Sequence, residues 1–431
     1  MGLDFGTHQT KICVERKNKA ELEYSFFKFP DLSGRLQYTF PSIIKINPDE
    51  TLSYGFIEKS SDSQIIRYFK QSTFTTATDI LSKSNAKLYT IWYIAYLLFL
   101  LEEKYDDAFA IQMGVPSDSY RMESQKQLAV SILVSAFNLV ENVYRGDRQA
   151  FLSATVSELK QKTEIFKYSK AEKDAYQILV FPEAYACLMP LVSASKIPEF
   201  MSLMIDIGGG TTDVSFFSIE ENKKNPKDNK LRVYRFKSIN KGLNFLTDST
   251  ILNDDNRSDS TIKSVQHLKS SAIRMFKNEI SDFCLNLRRD LRNEFRKQGS
   301  LADEVLEKAL TKRPIVYTGG GSSFDVLRCG YFGFEDIIHI SQKYWRSHEI
   351  RDMALISSKG LCPILSTAYG LAISRPNDKI ICEPFRDIFS GIRQTKHKDK
   401  TKTAKNPKKI FGQDIGGAHG FSYMDDYDAW K

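Results

Sequence analysis

One pattern constrains this chain more than any other. The stretch Asp4-Phe5-Gly6-Thr7 is answered, much later, by Asp206-Ile207-Gly208-Gly209-Gly210-Thr211-Thr212-Asp213, and a third run, Gly319-Gly320-Gly321-Ser322, follows Ile315-Val316-Tyr317. In each case an apolar strand delivers glycines and hydroxyl residues to a turn. Glycine lets backbone N–H groups converge on an anion and threonine adds further donors, which is what a phosphate chain requires. One such turn is a weak signal. Two hairpins of the same design can grip a phosphate chain from opposite sides. The carboxylates of Asp4 and Asp206 would repel bare phosphate, so their placement calls for a divalent cation, or its waters, between them and the anion.

Around these turns strands and helices alternate. Residues 2–14 read as a hairpin with Gly6, Thr7 and His8 at its tip, 39–46 as a strand and 88–103 as a helix. Residues 109–115 read as a strand stopped by Pro116, 122–139 as a helix, and 178–181 as a strand running through Pro182-Glu183 into another helix. The second half repeats the plan, with strands at 203–207 and 214–219 flanking the glycine turn and a polar connection at 220–230. A helical stretch over 261–313 follows, in which Ile280, Phe283, Leu287, Leu291 and Phe295 form one apolar stripe. A last helix covers 366–373. Such alternation defines the α/β class.

Composition removes several other possibilities. The chain has 431 residues, 42% hydrophobic and 12% aromatic, enough for a packed core in two or three domains. Its formal charge of +8 is uneven: residues 394–409 carry seven lysines and one aspartate, and 410–431 four aspartates and one lysine. The body keeps only +5 once the +6 and −3 of these two stretches are removed, which excludes a strongly basic fold that coats nucleic acid. Six scattered cysteines without a C-x-x-C pair indicate neither a zinc site nor a disulfide framework and fit a reducing, cytoplasmic compartment. No secretory leader is read at the start of the chain. The longest apolar run, 88–101, is shorter than the roughly 20 residues of a membrane span and reads as a buried helix.

Taken together, these segments resemble the actin-like ATPase superfamily of actin, the seventy-kilodalton heat-shock chaperones, bacterial filament proteins and sugar kinases. Leu3-Asp4-Phe5-Gly6-Thr7 is similar to its first phosphate motif, residues 205–214 to its second, and Val316-Tyr317-Thr318-Gly319-Gly320-Gly321-Ser322 to its adenosine motif. Phe181-Pro182-Glu183-Ala184-Tyr185-Ala186 and Ser366-Thr367-Ala368-Tyr369-Gly370-Leu371-Ala372 look like the two connecting helices. All five occur in the family order, and the long gap between the phosphate motifs looks most like the chaperone branch. The resemblance implies a bilobal fold, two ribonuclease-H-like lobes with a nucleotide cleft between them. Residues 1–190 would form the first lobe, completed by about 352–374, and 191–351 the second, with 261–313 as a helical insert.

The resemblance also implies roles. ATP and Mg²⁺ would be the cofactors, with Asp4 and Asp206 holding the hydrated cation. The phosphates would lie among Gly6, Thr7, His8, Gly208, Gly209, Gly210, Thr211 and Thr212, and the adenosine against Gly319, Gly320, Gly321 and Ser322. Glu183 would orient or deprotonate the attacking water, and Asp213 would support it or act as an alternative base. Either Lys70 or Lys11 would reach phosphate. Two departures stand out: His8 replaces a small or hydroxyl residue, and Ser323 stands where the chaperones carry an arginine near adenine. Slow turnover or loosened base selectivity would follow. Residues 375–431 are too few for a chaperone's peptide-binding domain, which leaves an ATP-driven switch acting through a partner protein. A nucleotide-dependent filament protein and a pseudo-ATPase scaffold are the alternatives. The lysine run reads as a tether, with nucleic-acid contact as its other reading, and Phe421 to Trp430, where four aromatics alternate with acids, as a segment that docks on a partner or another copy.

Overall fold

The computed structural model describes residues 1–18, 21–58, 62–75, 81–105, 109–116, 121–167, 176–194, 196, 200–220, 222, 229–247, 268–297 and 313–373. The expectations for 394–431 and for most of 220–230 fall outside these residues. Two sheets organise the described chain. The first contains β1 (Gly2–Phe5), β2 (Gln9–Asn18), β3 (Glu21–Phe26), β4 (Gln112–Val115) and β5 (Leu179–Pro182) in the order β5-β4-β1-β2-β3, with Phe40–Pro41 pairing alongside β2. The second contains β6 (Phe200–Ile207), β7 (Thr212–Glu220), β8 (Lys230–Ile239), β9 (Arg313–Thr318) and β10 (Phe334–His339) in the order β8-β7-β6-β9-β10.

Each sheet is thus laid out the same way. Its first three strands form an antiparallel meander, and the fourth and fifth add parallel to the first. Parallel pairing requires a crossover, and helices supply it. Between β3 and β4 run α1 (Phe69–Phe74) and α2 (Lys83–Lys104), and between β4 and β5 runs α3 (Met122–Asn138). The apolar run in α2 is a core helix: Trp92, Tyr93, Leu97, Leu98 and Phe99 are buried against Leu3, Phe5 and Ile12 of the first sheet. No helix among the described residues is long and apolar enough to cross a membrane.

In the second half, α5 (Ser270–Lys297) buries Ile280, Phe283, Leu287 and Leu291 against Leu203, Ile205 and Phe216. These four residues of the stripe therefore do what their spacing predicts. Residues 298–312 lie outside the described residues, but Arg313, the last residue of the expected helical stretch, is not helical. Arg313 opens β9 and is buried, because the β-branched run that follows it pairs with β6 and β10. The strand expected at 39–46 is also broken, since Phe40–Pro41 joins β2 while Ile44–Ile46 pairs with Leu52–Tyr54 and Gln64–Ile66. At the break, Ser42 Oγ donates to the carbonyl of Gly6 at 2.7 Å, which turns the chain toward the first hairpin.

Two short helices join the sheets. α4 (Glu183–Ala186) starts where β5 ends and packs on β7, and α6 (Cys362–Ile373) packs on β1, β2, β4 and β9. They share one core with residues of both sheets, including Cys13, Met204, Phe217 and Val316. Gly370 is the contact point between the two helices, and a β-carbon there would overlap the carbonyl oxygen of Ala186. Gly370→Ala is expected to cost about 1–3 kcal/mol by overpacking, read as a lower urea midpoint with an unchanged slope.

Candidate functional site

The local pairing of the first hairpin fixes its chemistry. Asp4 lies directly opposite Lys11 across β1 and β2, so the two side chains share a face, and Lys11 Nζ meets Asp4 Oδ2 at 2.9 Å. Lys11 therefore turns inward rather than to solvent. The second hairpin places two carboxylates in the equivalent relation. Asp206 faces Asp213 across β6 and β7, and Asp206 also lies beside Thr318 of β9. The fold closes in on Asp206 from two sides. Thr367 of α6 donates to Asp206 Oδ2 at 3.1 Å, and a β-carbon at Gly319 would overlap Asp206 Oδ1. Gly319 has a φ of 78°, a left-handed conformation that favours glycine.

The tips of the two hairpins meet. Thr7 packs on Gly210, where a β-carbon would lie 2.6 Å from Thr7 Oγ1, and the imidazole of His8 lies on Gly209. The carbonyls of Gly208 and Gly209 accept from the backbone N–H groups of Leu243 and Asn244 at 3.0 and 2.8 Å, which fixes the peptide planes of this turn. From α1, Gln71 Nε2 donates to the carbonyl of Gly210 at 3.5 Å and Gln71 Oε1 accepts from Asn244 Nδ2 at 3.1 Å. The helix that carries Lys70 is thereby fastened to the second hairpin.

Lys70 itself is buried, and its Nζ lies 2.5 Å from Glu183 Oε1 of α4. The site thus assembles four buried carboxylates, Asp4, Glu183, Asp206 and Asp213, against the ammonium groups of Lys11 and Lys70. Excess negative charge in a dry place has the expected consequence. Burial, with Asp4 and Glu183 adding to it, pushes the pKa of Asp206 up to about 7. Asp213 is held well above the usual carboxylate range by burial, then by Glu183 and Asp206. For Glu183 burial outweighs the attraction of Lys70, and its pKa rises. Burial opposes the charge on Lys70, but Glu183 and Asp4 overcome it and raise its pKa.

A positive charge entering this cluster would relieve it. The donors are carboxylate oxygens, the type a hard cation takes, and Asp213 Oδ1 is buried without a hydrogen-bond partner. Among the described residues no three His, Cys, Asp or Glu side chains converge closely enough to hold an ion by themselves.

The third turn is built differently. Ser322 Oγ donates to the Gly319 carbonyl at 2.7 Å and accepts from His339 Nε2 at 3.0 Å. Arg328, which can only donate, faces His339 Nδ1 at 3.5 Å and so leaves the ring proton on Nε2. Burial and Arg328 push the pKa of His339 down to about 4, which keeps the ring neutral. Ser322 therefore braces the turn with its hydroxyl, and Thr212 likewise spends its hydroxyl on the carbonyl of Lys241 at 2.7 Å. Ser323 is exposed, but Arg328 donates to the Ser322 carbonyl, so a guanidinium reaches this turn from five residues beyond Ser323.

Four participants were not legible as site residues in the sequence: Gln71, Asn244, Arg328 and Thr367. Only Thr367 carried a signal, as the hydroxyl residue of the last connecting-helix segment. No protein-family model and no curated protein matches this chain. What the site does must follow from its own chemistry.

Proposed function

We propose that the chain is a bilobal actin-like ATPase, a cytoplasmic, ATP-driven conformational switch of chaperone-like type that acts through a partner protein. The observation that carries the reading is the meeting of two like hairpins, Thr7 on Gly210 and His8 on Gly209, beside a buried cluster of carboxylates and lysines. The phosphate chain of ATP would lie between the hairpins, taking hydrogen bonds from the turn amides and from Thr7 and Thr211. Mg²⁺, where bound, neutralises charge on the phosphates, and Asp4 and Asp206 would hold it through water. Glu183 would orient the attacking water and accept its proton; a raised pKa makes it a better base than an ordinary carboxylate. Lys70, at 2.5 Å from Glu183, fixes the direction of that carboxylate and would face the developing phosphate charge. Gly319 to Gly321 would bound the nucleoside.

The two layouts of five strands, joined by α4 and α6, supply a means of signalling. A ligand that ties one hairpin to the other favours whichever arrangement of the sheets brings both into contact with it. Calorimetry of the folded protein with ATP, with and without Mg²⁺, tests the reading. Saturable binding that strengthens with Mg²⁺ is expected, with phosphate release above background. Folded protein that binds no ATP in either condition would overturn it. Light scattering under ATP and Mg²⁺ separates a switch, which keeps its size, from a filament, which grows.

A further inference from the structure

One nitrogen at the meeting of the hairpins is unaccounted for. His8 follows Thr7 at the tip of the first hairpin, and its backbone is fixed, since its carbonyl accepts from Ser42 N at 2.8 Å. The imidazole is held on two sides. Its Nδ1 edge lies on Gly209, and the ring meets Tyr68 edge to face, with centroids 5.5 Å apart and planes at 66°. Tyr68 directly precedes α1 and has a φ of 60°, an uncommon conformation for a tyrosine. His8 as a whole keeps some exposure, yet Nε2 is closed off from solvent and has no hydrogen-bond partner. A buried polar atom without a partner is costly, and this one belongs to a side chain at the meeting of the two hairpin tips.

The surroundings indicate what the partner is. The charged and titratable groups facing the ring are Arg67 and Tyr68 from the segment before α1 and Lys11 from β2. The turn Gly208 to Gly210 and the Ser42 backbone bring no charge. Burial, then Arg67, then Lys11 push the His8 pKa down to about 4, so the ring is neutral in a positively biased place. A neutral imidazole there meets an anion well, and the anion reverses the bias that kept the proton off.

We propose that Nε2 of His8 contacts the phosphate chain of the bound nucleotide and that the imidazole takes up one proton from solvent as the anion arrives. This rests on the nucleotide reading above and adds proton linkage to it.

The test compares wild type with His8→Asn, which keeps a donor but cannot titrate, and His8→Phe, which keeps the packing and has no nitrogen. Titration calorimetry at pH 6 in two buffers of different ionisation enthalpy counts protons. Subtraction of the His8→Asn value removes the contributions of ATP and of the carboxylates. Wild type is expected to take up roughly half a proton or more beyond His8→Asn, and His8→Phe to bind ATP about 10- to 100-fold more weakly. Equal proton counts in all three proteins, with ATP affinity unchanged in His8→Phe, would sink the proposal. The second readout is the imidazole Cε1–H signal of His8 in histidine-labelled protein, assigned with the variants and followed on adding sodium tripolyphosphate. Should wild type bind no ATP while this signal still shifts, the nucleotide reading fails and the phosphate contact stands. A signal indifferent to both ATP and tripolyphosphate overturns the contact.

Discussion

Glu183→Gln should lower steady-state ATP hydrolysis by about 100-fold while leaving ATP affinity within a few-fold of wild type. Glutamine keeps an oxygen to accept from Lys70 Nζ, now 2.5 Å from the carboxylate, so the helix contacts survive. What disappears is the ability to take a proton from water. The fold is expected to tolerate the change. Removing one member of a buried ion pair is usually costly because the other charge is left alone, but Lys70 also feels Asp4 and Asp213. Losing one of four carboxylates relieves Asp206 and Asp213 as well, both of which are raised partly by Glu183. Single-turnover kinetics separates the step affected from nucleotide exchange, and a melting curve confirms folding. Hydrolysis that persists at the wild-type rate would move the role of base to Asp213, whose Oδ1 has no hydrogen-bond partner.

How much of this could be read beforehand differs by scale. The strands that end in glycine turns were legible because glycine and β-branched runs act locally: β1, β6 and β9 end where the motifs place them. Hairpin register was not. A three-residue turn over Gly6 to His8 would set Asp4 opposite Thr10; the chain instead pairs Phe5 with Thr10 around the loop Gly6 to Gln9 and so sets Asp4 opposite Lys11. Sequence left the direction of Lys11 open because it shows neither this register nor which face of the sheet is the site.

Other features depend on contacts between distant segments and leave no local trace. Lys70 reads as a surface residue or a site residue with equal ease, and only the approach of α4, 113 positions away, decides the matter. Gln71 and Asn244 meet across 173 positions, and neither belongs to a glycine motif. Arg328 shows the same thing from the other side. The absence of an arginine at Ser323 looked like a loss, but a guanidinium arrives at Ser322 from the next turn of chain. Residue types at motif positions are thus a poor guide to which charges a site contains, although they are a good guide to where its backbone turns.

The second large effect is expected at Asp206, where function and stability should move in opposite directions. Its carboxyl has a pKa of about 7 in the fold, against the ordinary 3.8 that it regains on unfolding. Between those values the native state binds more protons than the unfolded one, so this group's contribution to stability falls as pH rises, and above pH 7 the penalty is complete. Asp206→Asn removes the penalty while keeping an oxygen to accept from Thr367 at the present 3.1 Å. The variant should therefore be more stable than wild type at pH 8, by something on the order of 2–4 kcal/mol, with the gain shrinking steadily toward pH 5. On the proposed reading hydrolysis should fall about 100-fold, because one of the two outer partners of the cation would be lost. Added Mg²⁺ and ATP should then stabilise wild type more than the variant, since the positive charge of the cation is what the carboxylate lacks. Urea unfolding at pH 5, 6.5 and 8, with and without Mg²⁺ and ATP, measures all of this. A gain that is the same at every pH would mean that Asn simply packs better, and a loss at pH 8 would show that Asp206 is already neutralised within the fold.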